Sequence, residues 1–170
     1  VIRIATLTLA VLVCGGTAAP SLPTALPKTT PSVLLITVDT LRPDALGWVA
    51  GRNATPNIDR LARGALRFPA AVSPVPLTGP AHASLLTGLL PRRHGVRDNG
   101  QVLGAGIPTL AEQLRRRGYS TAAFVSGYPL QRFLGLDRGF DVYDDTLPHG
   151  SEGWLERRAS ETSDAALTWL

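Results

Sequence analysis

The run Val-Leu-Leu-Ile-Thr-Val at 33–38, ended by Asp39, constrains this chain more than any other feature. Consecutive apolar and β-branched residues suit a strand covered on both faces, the habit of parallel sheets flanked by helices. The run therefore predicts a central, buried, parallel strand. A carboxylate at its end puts Asp39 on the rim of the sheet, where open α/β folds seat ligands and metals. Farther on, Pro-Leu-Thr-Gly-Pro-Ala-His-Ala-Ser-Leu-Leu-Thr-Gly (76–88) sets the Thr78 hydroxyl just before a Gly-Pro step. Proline is preformed for the start of a helix, and a helix start offers free N–H groups and partial positive charge to an anionic ester. The two segments together predict half of a metal-assisted ester-cleaving site, with Asp39 and Thr78 within about 4–6 Å, since a hard cation holds each oxygen at about 2–2.5 Å.

The rest of the chain alternates strand and helix signals. Thr55-Pro56 opens a helix running to Arg63, with Gly64 closing it in a left-handed conformation. Residues 66–72 are a second strand candidate, weakened by Pro69, and 81–87 a short helix closed by Gly88. Asp98-Asn99-Gly100 signals a turn. Thr109-x-x-Glu112 is a capping box for a helix over 110–117 that Gly118 ends. Residues 121–125 read as another buried strand and 159–170 as an amphipathic helix. This alternation predicts an α/β fold with a mostly parallel sheet flanked by helices. The last helix stops without a cap, so the expectation is an incomplete N-terminal portion of a larger sheet with open edges. The initial Val agrees with an alternative start or a missing beginning.

Charge points away from nucleic acid. The 17 basic residues are 16 arginines and Lys28, scattered along 170 residues rather than clustered. The tightest run, Arg115–Arg116–Arg117, closes a helix, where cations favour the helix dipole. Residues 1–19 read as an export signal, with Arg3, an apolar stretch at 4–13 and small residues at 17–19. The stretch is short for a membrane span. A lipoprotein signal ending at Cys14 is the alternative, and bulky Val13 argues against it. Residues 20–32, with four prolines, form a stiff linker, and 33–170 the α/β portion. The predicted location is periplasmic or extracellular, with lipid or membrane anchorage only through the leader. Asn53-Ala54-Thr55 has the form of a glycosylation acceptor, but Pro56 follows it.

Several further segments carry a resemblance. They are Val-Asp-Thr-Leu-Arg-Pro-Asp (38–44), Thr-Pro-Asn-Ile-Asp-Arg-Leu-Ala (55–62) and His-Ala-Ser-Leu-Leu-Thr-Gly (82–88). Arg-Arg-His-Gly-Val-Arg-Asp-Asn-Gly (92–100), Leu-Arg-Arg-Arg-Gly-Tyr-Ser-Thr-Ala (114–122) and Gly-Leu-Asp-Arg-Gly-Phe-Asp (135–141) follow. In order and spacing, residues 32–170 resemble the N-terminal part of the sulfatase family, within the alkaline phosphatase superfamily. The resemblance implies an alkaline-phosphatase-like fold and metal-dependent cleavage of a sulfate or phosphate ester. Asp39 matches the first metal-binding carboxylate, and Thr40 stands where many members have a second Asp. The signature of the family starts with a Cys or Ser that becomes formylglycine. Here Thr78 holds that place, Pro80 matches, Ala81 replaces Ser and His82 replaces Arg.

Threonine cannot become formylglycine, so the resemblance implies a Thr78 hydroxyl nucleophile that also touches the metal. The cofactor implied is one divalent cation (Ca, Mn or Zn), or two. Family members follow Gly-Tyr-x-Thr with a Gly-Lys-Trp-His segment that holds sulfate; those places fall near Ser126 and Tyr128. His82, His94 and Asn99 are candidate substrate-binding residues. The blander readings are a turn carboxylate at Asp39, a helix cap at Thr78, a helix-surface histidine at His82 and plain turn chemistry at Asn99. The later metal ligands of the family, an Asp-His or Asp-Asn pair, fall beyond residue 170. Three functions stay open: a sulfatase-like hydrolase, a phosphoryl or phosphoalcohol transferase acting on envelope lipids or glycans, and an inactive fragment. The implied partner is a small-molecule, glycan or lipid ester.

Overall fold

Of the strand signals, that at 121–125 pairs most fully. In the computed structural model, which describes residues 31–52, 54–147 and 156–170, β1 (Ala122–Phe124) lies parallel to β2 (Val142–Asp144). Ala122 faces Val142 and Phe124 faces Asp144. The helices are α1 (Gly47–Ala50), α2 (Pro56–Arg63), α3 (Thr78–Thr87), α4 (Pro91–His94), α5 (Leu110–Arg116) and α6 (Ala159–Trp169). Parallel strands need a crossover. Here it is made of two 3₁₀ turns, Tyr128–Leu130 and Arg132–Leu134. The result is a mixed α/β fold, a parallel strand pair flanked by helices.

Local signals formed as expected. Thr109 Oγ1 accepts from Glu112 N–H at 3.1 Å, and Glu112 Oε2 accepts from Thr109 N–H at 2.8 Å, closing the capping box of α5. The Thr109 hydroxyl donates in turn to the Arg138 carbonyl at 2.8 Å. Gly139 lets that segment come in: a Cβ there would lie 2.1 Å from Glu112 N. Arg157, 8% exposed at its side chain, ties the start of α6 to the sheet through Asp144 Oδ2 at 2.7 Å and the Val125 carbonyl at 3.0 Å. The core lies under α3: Ala83, Val96, Leu103 and Leu136, with Leu86, Ile107 and Leu130 packed against them. The first turn of α3 is sunk into this packing, with Gly79 and Pro80 buried and Thr78 left partly open at its very start.

Four expectations are corrected. Residues 33–38 do not form a buried strand: only Val33 is buried and makes a bridge, while Leu34, Ile36 and Val38 are 56%, 68% and 56% exposed. Strand preference is mostly a preference for packed neighbours, and no ladder runs beside 34–38 among the described residues. Residues 66–72 form no strand either, with Leu66, Phe68 and Val72 exposed; Pro69 lacks the N–H a ladder needs. Gly64 ends α2 at φ −103°, by a short turn from its N–H to the Leu61 carbonyl rather than a left-handed cap. Finally, α3 begins at Thr78, not at 81. Pro80 is its third residue, where an N–H would have no partner inside the helix. The expected leader (1–19), linker residues 20–30 and Asn53 lie outside the described residues. No helix among the described residues is long and apolar enough to cross a membrane.

Candidate active site

Asp39 and Thr78, 39 residues apart in sequence, meet. Thr78 Oγ1 donates to Asp39 Oδ2 at 2.7 Å. The other carboxylate oxygen, Oδ1, accepts from the Thr40 N–H at 2.9 Å. Thr40 takes φ 52°, the one non-glycine in the left-handed region among the described residues. A β-branched residue there is strained. Both partners of the pair remain open to solvent at least in part.

The helix start is less available to an anion than the sequence suggests. Gly79 N–H is already taken by Asn99 Oδ1 at 2.8 Å, and Pro80 has no N–H to offer. Only the Thr78 N–H has no acceptor among the described residues. A Cβ at residue 79 would lie 3.3 Å from Asn99 Oδ1, so a larger residue there would push the amide back by a few tenths of an ångström. With its oxygen on Gly79, Asn99 keeps its NH2 group without a partner among the described residues.

His82 touches Thr78 from within α3. Its Nδ1 lies 2.8 Å from the Thr78 carbonyl, and Nε2 lies 3.1 Å from Thr37 Oγ1. A carbonyl only accepts, so Nδ1 carries the proton and Nε2 accepts from the Thr37 hydroxyl. His82 thus ties residue 37 to the helix start. Thr37 went unnoticed in the sequence; its spacing of two from Asp39 was the available signal.

His94 is not brought to this group. It is 2% exposed, and both ring nitrogens are engaged: Nδ1 accepts from Val96 N–H at 3.1 Å, and Nε2 bonds Ser84 Oγ at 2.9 Å. Burial lowers its pKa. Its place is a latch between α3 and α4. Ser126 bonds Thr162 at 2.7 Å, an internal tie between the segment after β1 and α6.

Among the described residues, no three His, Cys, Asp or Glu side chains converge as a metal-holding group. The pair still fits as part of one. Two hard oxygens 2.7 Å apart can occupy neighbouring corners around a cation that holds each at about 2.3–2.6 Å. Oxygen donors of this type suit calcium, magnesium or manganese better than a soft metal. The hydroxyl can attack an anionic ester while the carboxylate takes its proton, and the Thr78 N–H and Asn99 NH2, without partners among the described residues, can donate to the ester oxygens.

The model of the family described as "Sulfatase" matches residues 31–169. The chain is 39% identical to the choline-sulfatase of Rhizobium meliloti over 117 residues, covering 65% of this chain and 22% of that protein. It is 39% identical to the ulvan-active sulfatase of Formosa agariphila over 122 residues, 68% of this chain and 24% of the relative. It is 33% identical to the steryl-sulfatase of Mus musculus over 162 residues, 87% of this chain and 25% of the relative. The chain thus spans about a quarter or less of the length of these relatives.

Proposed function

Because the chain belongs to the sulfatase family, we propose that the protein hydrolyses a sulfate ester through a Thr78 nucleophile. The observation that supports this assignment best is the 2.7 Å bond from Thr78 Oγ1 to Asp39 Oδ2. A threonine hydroxyl is a secondary alcohol, so its oxidation gives a ketone and not the aldehyde of formylglycine. The hydroxyl itself therefore reacts. As Thr78 Oγ1 bonds to sulfur, its proton passes to Asp39 Oδ2 along the existing hydrogen bond. The sulfur–oxygen bond to the alcohol breaks, and the alcohol leaves with that proton. Water then cleaves the Thr78 sulfate ester and returns a proton to Oγ1, so one water yields alcohol and hydrogen sulfate.

The Thr78 N–H and the Asn99 NH2 donate to the sulfate oxygens, and His82 holds the Thr78 carbonyl in place. Asp39 and Thr78 are two of the oxygen donors of a divalent cation, with the remaining ones outside the described residues. When bound, such an ion lowers the pKa of the hydroxyl and offsets charge on the ester oxygens. The described residues alone supply too few donors, and residues 1–170 by themselves should not turn over. The substrate is a small-molecule or glycan sulfate ester, met outside the cytoplasm after export by the 1–19 leader.

The test compares sulfate and phosphate esters side by side. In the full-length protein, Thr78→Ala should abolish sulfate-ester turnover and Thr78→Ser should keep it. A slow substrate should leave a sulfuryl group on residue 78, read by peptide mass. Full activity in Thr78→Ala removes the nucleophile, and faster phosphate-ester turnover favours the phosphoryl-transfer reading.

A further inference from the structure

Between α1 and α2 lies an open cleft of about 590 Å³ that shares no lining residue with the Asp39–Thr78 group. Its walls carry Arg52, Arg63 and Arg67 beside Trp48 and Asp59. No ion pair engages any of these arginines among the described residues; Arg52 feels Asp44 only through space. The cleft carboxylate is held elsewhere: Asp59 Oδ1 accepts from the Thr55 hydroxyl at 2.8 Å, and Thr55 Oγ1 accepts from Gly47 N–H at 2.8 Å. Three cations against one carboxylate leave the cleft lining net positive.

The chemistry of the walls narrows the ligand. Guanidinium forks match sulfate and carboxylate oxygens in pairs. Three of them along an open groove suit a ligand bearing several anions on one backbone rather than a single ion. Trp48, 41% exposed and in the cleft lining, is an aromatic of the kind that packs on the apolar side of a sugar ring. A nucleic-acid strand would call for successive aromatic platforms, and Trp48 is the one aromatic in the lining. We propose that this cleft is a second binding site for a sulfated polysaccharide, gripping the polymer away from the reacting group. The choice of sulfate as the anion rests on the function proposed above; the cleft contains none of the reacting residues.

The test uses the whole protein, with dextran sulfate and unsulfated dextran as probes in calorimetry at low and high salt. Dextran sulfate should bind, weaken as salt rises, and lose at least tenfold in affinity in Arg63→Ala/Arg67→Ala. Turnover of a small aryl sulfate by that variant should match the parent. If circular dichroism shows the double variant unfolded, Arg52→Ala is read instead, with a several-fold loss expected. Unchanged affinity in the folded variants, equal binding of unsulfated dextran, or tighter binding of an oligothymidylate would each overturn the proposal. Sulfated-polymer binding without any aryl-sulfate turnover would instead overturn the Thr78 reading and leave the cleft standing.

Discussion

Thr40 holds its backbone at φ 52°, a conformation that costs a residue with a Cβ about 1–2 kcal/mol. Its N–H fixes Asp39 Oδ1, leaving Oδ2 to face Thr78. Asparagine tolerates this region, and the bond to Asp39 comes from the backbone. Thr40→Asn should therefore raise stability by up to about 1 kcal/mol, seen as a higher midpoint in thermal unfolding. Asp39→Asn should act in the opposite sense: stability should change little at this exposed position, while divalent-ion binding and turnover fall together in titration calorimetry and ester assays. The pairing of Asp39 with Thr78 was legible in the sequence from side-chain type and the helix-start signal at 78, although the strand expected to deliver Asp39 did not form. The contact of His82 with Thr37 was not legible, because the two residues meet across 45 positions of sequence.

At the level of elements, what was legible was what closes within a few residues. The capping box of α5 needs only residues 109–112, so Thr109-x-x-Glu112 announced it. Residues 33–38 carry an equally strong pattern, yet a strand also needs a neighbour, which no local pattern supplies. The start of α3 shifted by three residues because proline is as well placed at the third helical residue as at the first. The α5 cap gives a sharp prediction. Thr109 is fully buried, and its hydroxyl both caps Glu112 N–H and satisfies the Arg138 carbonyl. Thr109→Ala should cost about 2–3 kcal/mol, a lost cap plus a buried carbonyl left unpaired. Thr109→Ser should stay within about 1 kcal/mol of the parent. Urea unfolding midpoints at constant slope decide it.

For the whole molecule, stability against pH separates into two windows. The amide and hydroxyl of Thr121 hold the Asp141 carboxyl below its usual range. At Asp144, burial opposes ionisation, and hydrogen bonds from Arg157 and Thr146 outweigh it. For such carboxylates stability is present above the ordinary value near 3.9 and is lost as pH falls below it. His94 acts higher. Its pKa is lowered from 6.5 by burial, so the unfolded chain takes up the proton first. Its contribution is complete above pH 6.5 and declines as pH falls from there toward the folded value. Protonation also places a second N–H on Nδ1, which must then face the Val96 N–H instead of accepting from it. Between pH 7.5 and 5.5 the carboxylates stay ionised, so any loss of stability in that interval reports histidine. The unfolding free energy should fall across it. His94→Gln keeps an amide donor toward Ser84 without a titrating ring; it should lower stability at pH 7.5 and flatten the dependence between the two pH values. A slope as steep in His94→Gln as in the parent would place the proton uptake on another group.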